Sequence, residues 1–229
     1  MIFKSIQSNG HERIVLLVIV LAILYAVGLD AEFHWLAAIL KASGIVVLAV
    51  YAFRLTVPDS ALFAAGLGMS AVGDVLMDLA PMAAGLSAFL VAHLIYLATF
   101  VRAIRREGAR NSGWTWAGLA LLGALVVAMP VYLWADLGDM RIPVVAYTGA
   151  IAAMAVTALW APSRGLALPA GAALFIISDS LIAIRAFKPE NGLPDLLFEP
   201  GIWASYVAAQ ILLTLGFAAI RGAPRKEMS

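Results

Sequence analysis

Two aspartates lie inside apolar stretches that are long enough to cross a membrane. Asp74 is part of SAVGDVLMDL at 70–79, and Asp179 is part of FIISDSLIAI at 175–184. A carboxylate at the centre of a transmembrane helix costs about 2.5–3.5 kcal/mol on insertion scales, so intramembrane acids are rare and usually functional. Two acids at matching places in the chain therefore indicate proton chemistry in which both side chains take part.

The residue types point to acid–base catalysis. Burial favours the neutral form of a carboxylic acid, a nearby cation favours its charged form, and two close carboxylates tend to share one proton. Lys41, which we expect at a similar depth in the second helix, supplies such a cation. One acid could then stay protonated and the other ionised, as reactions through an oxocarbenium-like state require. The residues leave open which aspartate is the acid and which is the base.

Other polar side chains in the predicted helices could line a substrate pocket. They are Lys41, Asp78, His93, Tyr96, Tyr147, Ser178, Tyr206 and Gln210. Most of them also have a structural interpretation. Lys41 could form an ion pair with Asp74, His93 could be a hydrogen-bonded packing residue, and Asp78 could be solvated at the interface.

Several classes of function are disfavoured. The chain has no cysteine and only three histidines, which argues against thiol chemistry and a zinc site. It contains no GxSxG nucleophile elbow and no Walker or dinucleotide glycine loop. We therefore expect neither a metal nor a cofactor. A net charge of +1 gives no indication of a nucleic-acid partner.

Composition indicates an integral membrane protein. Hydrophobic residues make up 63% of the 229 residues and charged residues 13%, whereas a soluble domain has about 45–50% and about 25%. A membrane-spanning helix needs about 20 apolar residues. The pattern predicts an all-α, polytopic protein with one membrane domain, 1–229, and eight helices near 13–29, 34–53, 58–79, 82–103, 114–134, 141–160, 165–187 and 202–221.

Loop charges predict the orientation. With the N-terminus inside, the inner segments contain Lys4, Arg13, Arg54, Arg102, Arg105, Arg106, Arg110, Arg164, Arg221, Arg225 and Lys226. The outer segments contain Arg141, Arg185 and Lys188. This asymmetry favours both termini in the cytoplasm, and we expect a bacterial inner-membrane protein. We expect the first helix to be retained rather than removed as a signal peptide.

The two halves of the chain resemble each other. SAVGDVLMDL is followed by FLVAHLIYLATF at 89–100, and FIISDSLIAI is followed by YVAAQILLTLGF at 206–217. Asp74 then aligns with Asp179, and His93 with Gln210. We expect two parallel four-helix repeats, related by a pseudo-twofold axis along the membrane normal, in which the two aspartates face each other. Stripes of small residues, with Gly66 two turns before Asp74 and Gly171 two turns before Asp179, should turn these acids toward the interior of the bundle.

These segments resemble the lysoplasmalogenase family of eight-helix membrane proteins, also called YhhN-like. The similarity lies in SAVGDVLM at 70–77, in the spacing of Phe89, Ala92, His93 and Tyr96, in GAALFIISDSLIAIRAF at 171–187, and in SYVAAQ at 205–210. The resemblance covers nearly the whole chain. It places Asp74 and Asp179 at the positions of the two aspartates in the family motifs.

The resemblance implies hydrolysis of the vinyl ether bond of a lysophospholipid, which gives a fatty aldehyde and a glycerophospho-head group. The main alternative is a proton-coupled transporter, because such carriers also use intramembrane acids in repeated helices. An intramembrane aspartyl protease is less favoured, because the stretch before Asp74 lacks the first glycine of a GxGD pattern. The substrate and membrane lipids are the expected partners, and the sequence says nothing about oligomers.

Overall fold

The computed structural model describes residues 2–27, 34–110, 113–190, 192, 194 and 198–220. Within these ranges the helices are α1 (Ile2–Val27), α2 (His34–Phe53), α3 (Ser60–Leu79), α4 (Met82–Glu107), α5 (Gly113–Leu133), α6 (Arg141–Trp160), α7 (Ala167–Phe187) and α8 (Glu199–Ala218). A short 3-10 turn, Gly138–Met140, precedes α6. Arg221, Arg225 and Lys226, which contribute to the predicted orientation, lie outside the described residues.

The fold class is the predicted one. Eight helices in the described part of the chain are long and apolar enough to cross a membrane, so the chain is an all-α integral membrane protein. Helix α4 runs one turn beyond its predicted end because its arginine-rich end continues as helix after the apolar segment. Helix α8 begins at Glu199, three residues before the predicted start, with a proline in its first turn, where a missing N–H costs nothing.

Helix packing joins the elements into one bundle. Helix α3 packs between α2 and α4, and α7 packs along α8. Helix α4 also packs on α6, which in turn contacts α5 and α7. Glycines allow the close approaches: an added Cβ at Gly66 would lie 2.6 Å from the Tyr96 ring, and one at Gly171 would lie 2.7 Å from the backbone nitrogen of Leu213. Small residues at such contacts are the usual basis of helix association in lipid.

The two four-helix repeats remain a prediction. The pairs α3–α4 and α7–α8 both pack closely, as a repeat would require. The rest of the packing differs between the halves, because α2 lies along much of α3 whereas α6 contacts α7 over a shorter stretch.

Buried aromatic rings fix α3, α4 and α8 to one another. The ring of Phe63 stacks on that of Phe217 with centroids 4.2 Å apart, and it also contacts Tyr96 and Phe100. All four side chains are almost completely buried. Because buried rings tolerate little displacement, this cluster sets the relative positions of the helices that carry Asp74, His93 and Tyr206.

Candidate functional site

The two aspartates lie on stripes that face the bundle interior, as the spacing of small residues predicts. On α3, Gly66, Ser70 and Asp74 are all buried. On α7, Gly171 and Phe175 are buried, and the side chain of Asp179 is 13% exposed. Residues four apart on a helix share a face, so each carboxyl lies on the buried side of its helix, although its hydrogen-bond partner comes from a different helix than the one its glycine approaches.

Asp179 is held by side chains from two other helices. The hydroxyl of Tyr147 on α6 donates a hydrogen bond to Oδ2 of Asp179 over 2.6 Å. Nε2 of His93 on α4 lies 3.4 Å from the same oxygen and 3.2 Å from the Tyr147 hydroxyl. Three helices therefore meet at one carboxyl oxygen, which leaves Oδ1 for other interactions.

This geometry indicates which ring nitrogen of His93 carries the proton. Tyr147 already donates its own proton to Asp179, so only an N–H at Nε2 gives His93 a favourable contact with the two oxygens. The other ring nitrogen, Nδ1, is buried and has no hydrogen-bond partner among the described residues. The ring packs edge-on against Phe175, with centroids 4.7 Å apart, which restricts its rotation.

Asp179 and Tyr147 line a cavity of about 370 Å³ between α4, α5, α6 and α7. Most of the wall is apolar, with leucine, isoleucine, valine, alanine and methionine side chains from all four helices. The cavity extends toward the end of the bundle where α4 and α6 begin and α7 ends. Asp179 therefore presents a carboxyl to an apolar space within helices that are long and apolar enough to cross a membrane.

Asp74 has a different environment. Its side chain is 2% exposed, and its Oδ2 accepts a hydrogen bond of 2.8 Å from the hydroxyl of Tyr206 on α8. Among the residues that the structure describes, Asp74 does not line the cavity at Asp179. Asp74 is thus buried with a donor from α8, whereas Asp179 faces an open space.

Lys41 binds Asp78 rather than Asp74. Its ammonium nitrogen lies 2.8 Å from Oδ1 of Asp78, and both side chains are partly exposed. The same nitrogen lies 5.9 Å from the centre of the Tyr25 ring on α1. Because Asp78 is one turn beyond Asp74 on α3, the pair lies beside the buried acid at the end of the bundle where α3 ends.

The remaining predicted site residues form closed contacts inside the bundle. Tyr96 donates to Oε1 of Gln210 over 3.1 Å and lies 3.3 Å from the Ser70 hydroxyl. Ser178 donates to the backbone oxygen of Ile202 over 3.2 Å. A role in substrate binding stays a prediction for Tyr96, Ser178 and Gln210.

Ring contacts connect the surroundings of the two acids. The Phe175 ring lies 5.5 Å from that of Tyr206, the partner of Asp74, and 4.7 Å from that of His93, the neighbour of Asp179. Phe89 also contacts both Phe175 and Tyr206. The carboxyls bind different tyrosines, and their joint action in one reaction stays a prediction.

Three hydroxyl residues that line the cavity are absent from the sequence prediction. They are Ser87, Thr148 and Ser180. Ser180 follows Asp179 directly in the SDS segment, and Thr148 follows Tyr147, so proximity to a predicted site residue was the available signal. In the described part of the chain, no group of three His, Asp or Glu side chains is placed to hold a metal ion.

Comparison with known proteins identifies relatives of this chain. Lysoplasmalogenases from Mycobacterium bovis and Mycobacterium tuberculosis are each 37% identical over 155 residues, which is 65% of this chain and 57% of those proteins. The chain therefore aligns with little more than half of their length. Lysoplasmalogenase TMEM86B from Sus scrofa is 30% identical over 193 residues, which is 81% of this chain and 77% of that protein.

No solved structure gives a significant match. The profile of the YhhN family matches residues 36–217, a segment that contains Asp74, Asp179 and every other residue of the candidate site. The chain therefore belongs to the YhhN family.

Proposed function

We propose that this protein hydrolyses the vinyl ether bond of lysoplasmalogens and releases a fatty aldehyde and a glycerophospho-head group. The observation that carries the proposal is the Asp179 carboxyl in the wall of an apolar cavity inside the membrane spans. The names of the mycobacterial and mammalian relatives supply the substrate class. The enzyme class is then an ether-bond hydrolase.

The reaction needs one proton donor and one water. Protonation of the β-carbon of the vinyl ether breaks its double bond and leaves an oxocarbenium ion at the α-carbon. Water adds to that carbon as a base removes a proton from the water, and a hemiacetal forms. Collapse of the hemiacetal gives the aldehyde and returns the glycerol oxygen as an alcohol. The atoms of the ether and of one water account for both products, and an acid and a base of matched strength accelerate the proton transfers.

Asp179 is the group that contacts the substrate in this proposal. Tyr147 and His93 hold its Oδ2, so Oδ1 is available to the reacting atoms or to water. Asp74 is the second acid–base group. Asp74 does not line the cavity among the described residues. Its participation therefore requires that the bound substrate or a helix movement brings Asp74 and Asp179 together.

We propose that the protein resides in the bacterial inner membrane with both termini in the cytoplasm. The distribution of Lys and Arg between loops supports this orientation. The cavity end near Met82, Met140 and Phe187 would then face the outer leaflet. The partners are the lysophospholipid substrate and the surrounding lipids.

The direct test uses detergent-purified protein and lysoplasmenylethanolamine. We expect release of fatty aldehyde, and no product from the saturated 1-O-alkyl analogue, which has no double bond to protonate. Asp179→Asn should abolish release, whereas Asp136→Asn, an acid outside the spans that binds Lys188, serves as the matched control. Full aldehyde release by Asp179→Asn would reject the assigned chemistry.

The transporter alternative is not favoured, because the curated relatives described above are lysoplasmalogenases. Proton flux in liposomes without lipid turnover would restore it.

A further inference from the structure

We propose that the cavity between α4, α5, α6 and α7 binds the hydrocarbon chain of a single-chain lipid, and that this chain enters sideways between α4 and α5. The identity of the lipid as a lysoplasmalogen rests on the proposed function. The existence of a chain site does not, because it follows from the lining, position and opening of the cavity.

The lining suits a hydrocarbon chain. Side chains such as Leu86, Leu90, Val126, Ile151 and Ile182 form most of the wall. The polar lining consists of a few hydroxyl groups and the Asp179 carboxyl. A phosphate or an ammonium group in this space would lose its hydration without compensating partners, which is strongly unfavourable. An alkyl or alkenyl chain has no such hydration to lose.

The cavity is longer than a reacting double bond needs. Asp179 and Phe187 both line it, and they are eight residues apart on α7, which corresponds to about 12 Å along the helix. Ile176, one turn before Asp179, also lines the wall. The cavity therefore continues along α7 on both sides of the carboxyl, and its length accommodates several methylene groups.

A gap between two of the lining helices, α4 and α5, offers a route into the cavity. Helix α4 packs on α3 and α6, and α5 packs on α6 and α7. In the described ranges α4 and α5 are not among the closely packed pairs. Exposed lining residues occur on all four helices, and those beside this gap are Ala83 and Ser87 on α4 and Leu125 on α5. Because these positions lie within apolar spans, the gap faces lipid, and a chain reaches the carboxyl without leaving the membrane.

A matched pair of valines tests this site. Val126 lines the cavity, whereas Val127, the next residue on α5, is 64% exposed and is not part of the lining. Burying a methylene group changes a binding equilibrium by about fourfold. Val126→Phe should therefore lower kcat/KM for a sixteen-carbon alkenyl chain by about tenfold or more, and for a ten-carbon chain by less than threefold. Val127→Phe should change neither value.

A substitution on a second helix and a labelling measurement make the test independent of the folding of one variant and of catalysis. Ala183→Leu on α7, which also narrows the cavity, should give the same shift toward short chains. A 1-O-alkyl lysophosphatidylethanolamine with a diazirine on its chain, which cannot react as a vinyl ether, should label α4, α5, α6 and α7. Val126→Phe should reduce this labelling severalfold, and Val127→Phe should not.

The outcomes separate the two proposals. Labelling without hydrolysis of any vinyl ether lipid supports the chain site and rejects the proposed function. Labelling spread over the lipid-facing surface and unchanged by Val126→Phe overturns the chain site, even if the protein releases aldehyde. An equal loss for long and short chains in Val126→Phe and Ala183→Leu also overturns it.

Discussion

Asp74 and Asp179 align with each other in two similar sequence segments, but their surroundings differ. Asp74 accepts a hydrogen bond from Tyr206 on α8 and is buried. Asp179 accepts one from Tyr147, lies near His93 and borders a cavity. An acid within a membrane span is costly in either setting. Asp74 is buried with a hydrogen-bond donor, whereas Asp179 has a donor and also borders an open space.

The helix contacts around these acids are more alike than the polar groups. Gly66 approaches Tyr96, and Gly171 approaches Leu213; these contacts coincide when Asp74 is aligned with Asp179 and His93 with Gln210. The polar contacts differ: His93 reaches Asp179, whereas Gln210 accepts from Tyr96. The position of the helix contact is thus common to the two segments, whereas the groups that meet there and around the acids differ.

The largest effect is expected from removing the acids one at a time. Asp179→Asn should lower aldehyde release by at least about 10²-fold, the usual contribution of a positioned acid or base. Asp74→Asn should give a comparable loss if the two act together. Steady-state assays with lysoplasmenylethanolamine measure both. Nearly full activity in Asp74→Asn, with none in Asp179→Asn, would reduce Asp74 to a structural residue.

The tyrosines that bind the two aspartates allow a second comparison of their surroundings. Tyr147→Phe removes a donor to Asp179 beside the cavity, so kcat should fall about tenfold, with little change in thermal stability. Tyr206→Phe leaves the enclosed Asp74 carboxyl without this donor, which should cost about 1–3 kcal/mol of stability. Parallel activity and thermal-unfolding measurements would contradict this view if the two variants behaved alike.

The paired glycines test whether the two helix contacts are equally rigid. At Gly171 an added Cβ meets backbone, 2.7 Å from the nitrogen of Leu213, whereas at Gly66 it meets the ring of Tyr96. Overpacking typically costs about 1–3 kcal/mol, and backbone yields less than a side chain. Gly171→Ala should therefore lower Tm more than Gly66→Ala. Gly123→Ala, where nothing lies within 4 Å of the added atom, is the control.

The smallest effect is expected at the Lys41–Asp78 pair beside Asp74. Partly exposed ion pairs contribute about 0–1 kcal/mol, so Lys41→Met should change Tm little. Its effect on kcat distinguishes two roles, since a loss much greater than that in Tm would place the ammonium group in the reaction. The matched control is Lys188→Met, which removes a similar contact to Asp136.

Hydropathy predicted the fold because membrane spans are defined by length and composition. The spacing of Gly66, Ser70 and Asp74 also predicted which face of α3 is buried, since residues four apart share a face. The partners of the acids could not be predicted, because they depend on how helices are arranged side by side. Lys41 binds Asp78 instead of Asp74 through a difference of one helical turn.

Adjacent residues on a helix also contact different partners, which their proximity in the sequence does not reveal. Ser178 and Asp179 point about 100° apart around the helix axis. Ser178 consequently binds a backbone oxygen of α8, while Asp179 reaches α6 and α4. Ser180, which the sequence prediction omitted, lies on the cavity wall.

The contact of α7 with α8 limits how the bundle can deform. An added Cβ at Gly216 would lie 2.5 Å from the backbone nitrogen of Leu168, and the one at Gly171 meets the backbone of α8. With main chain against main chain at two levels, neither helix can rotate or slide without a collision, so we expect them to move as a unit. A bound molecule that widens the cavity would then displace α5, and spectroscopic probes on that helix should detect binding first.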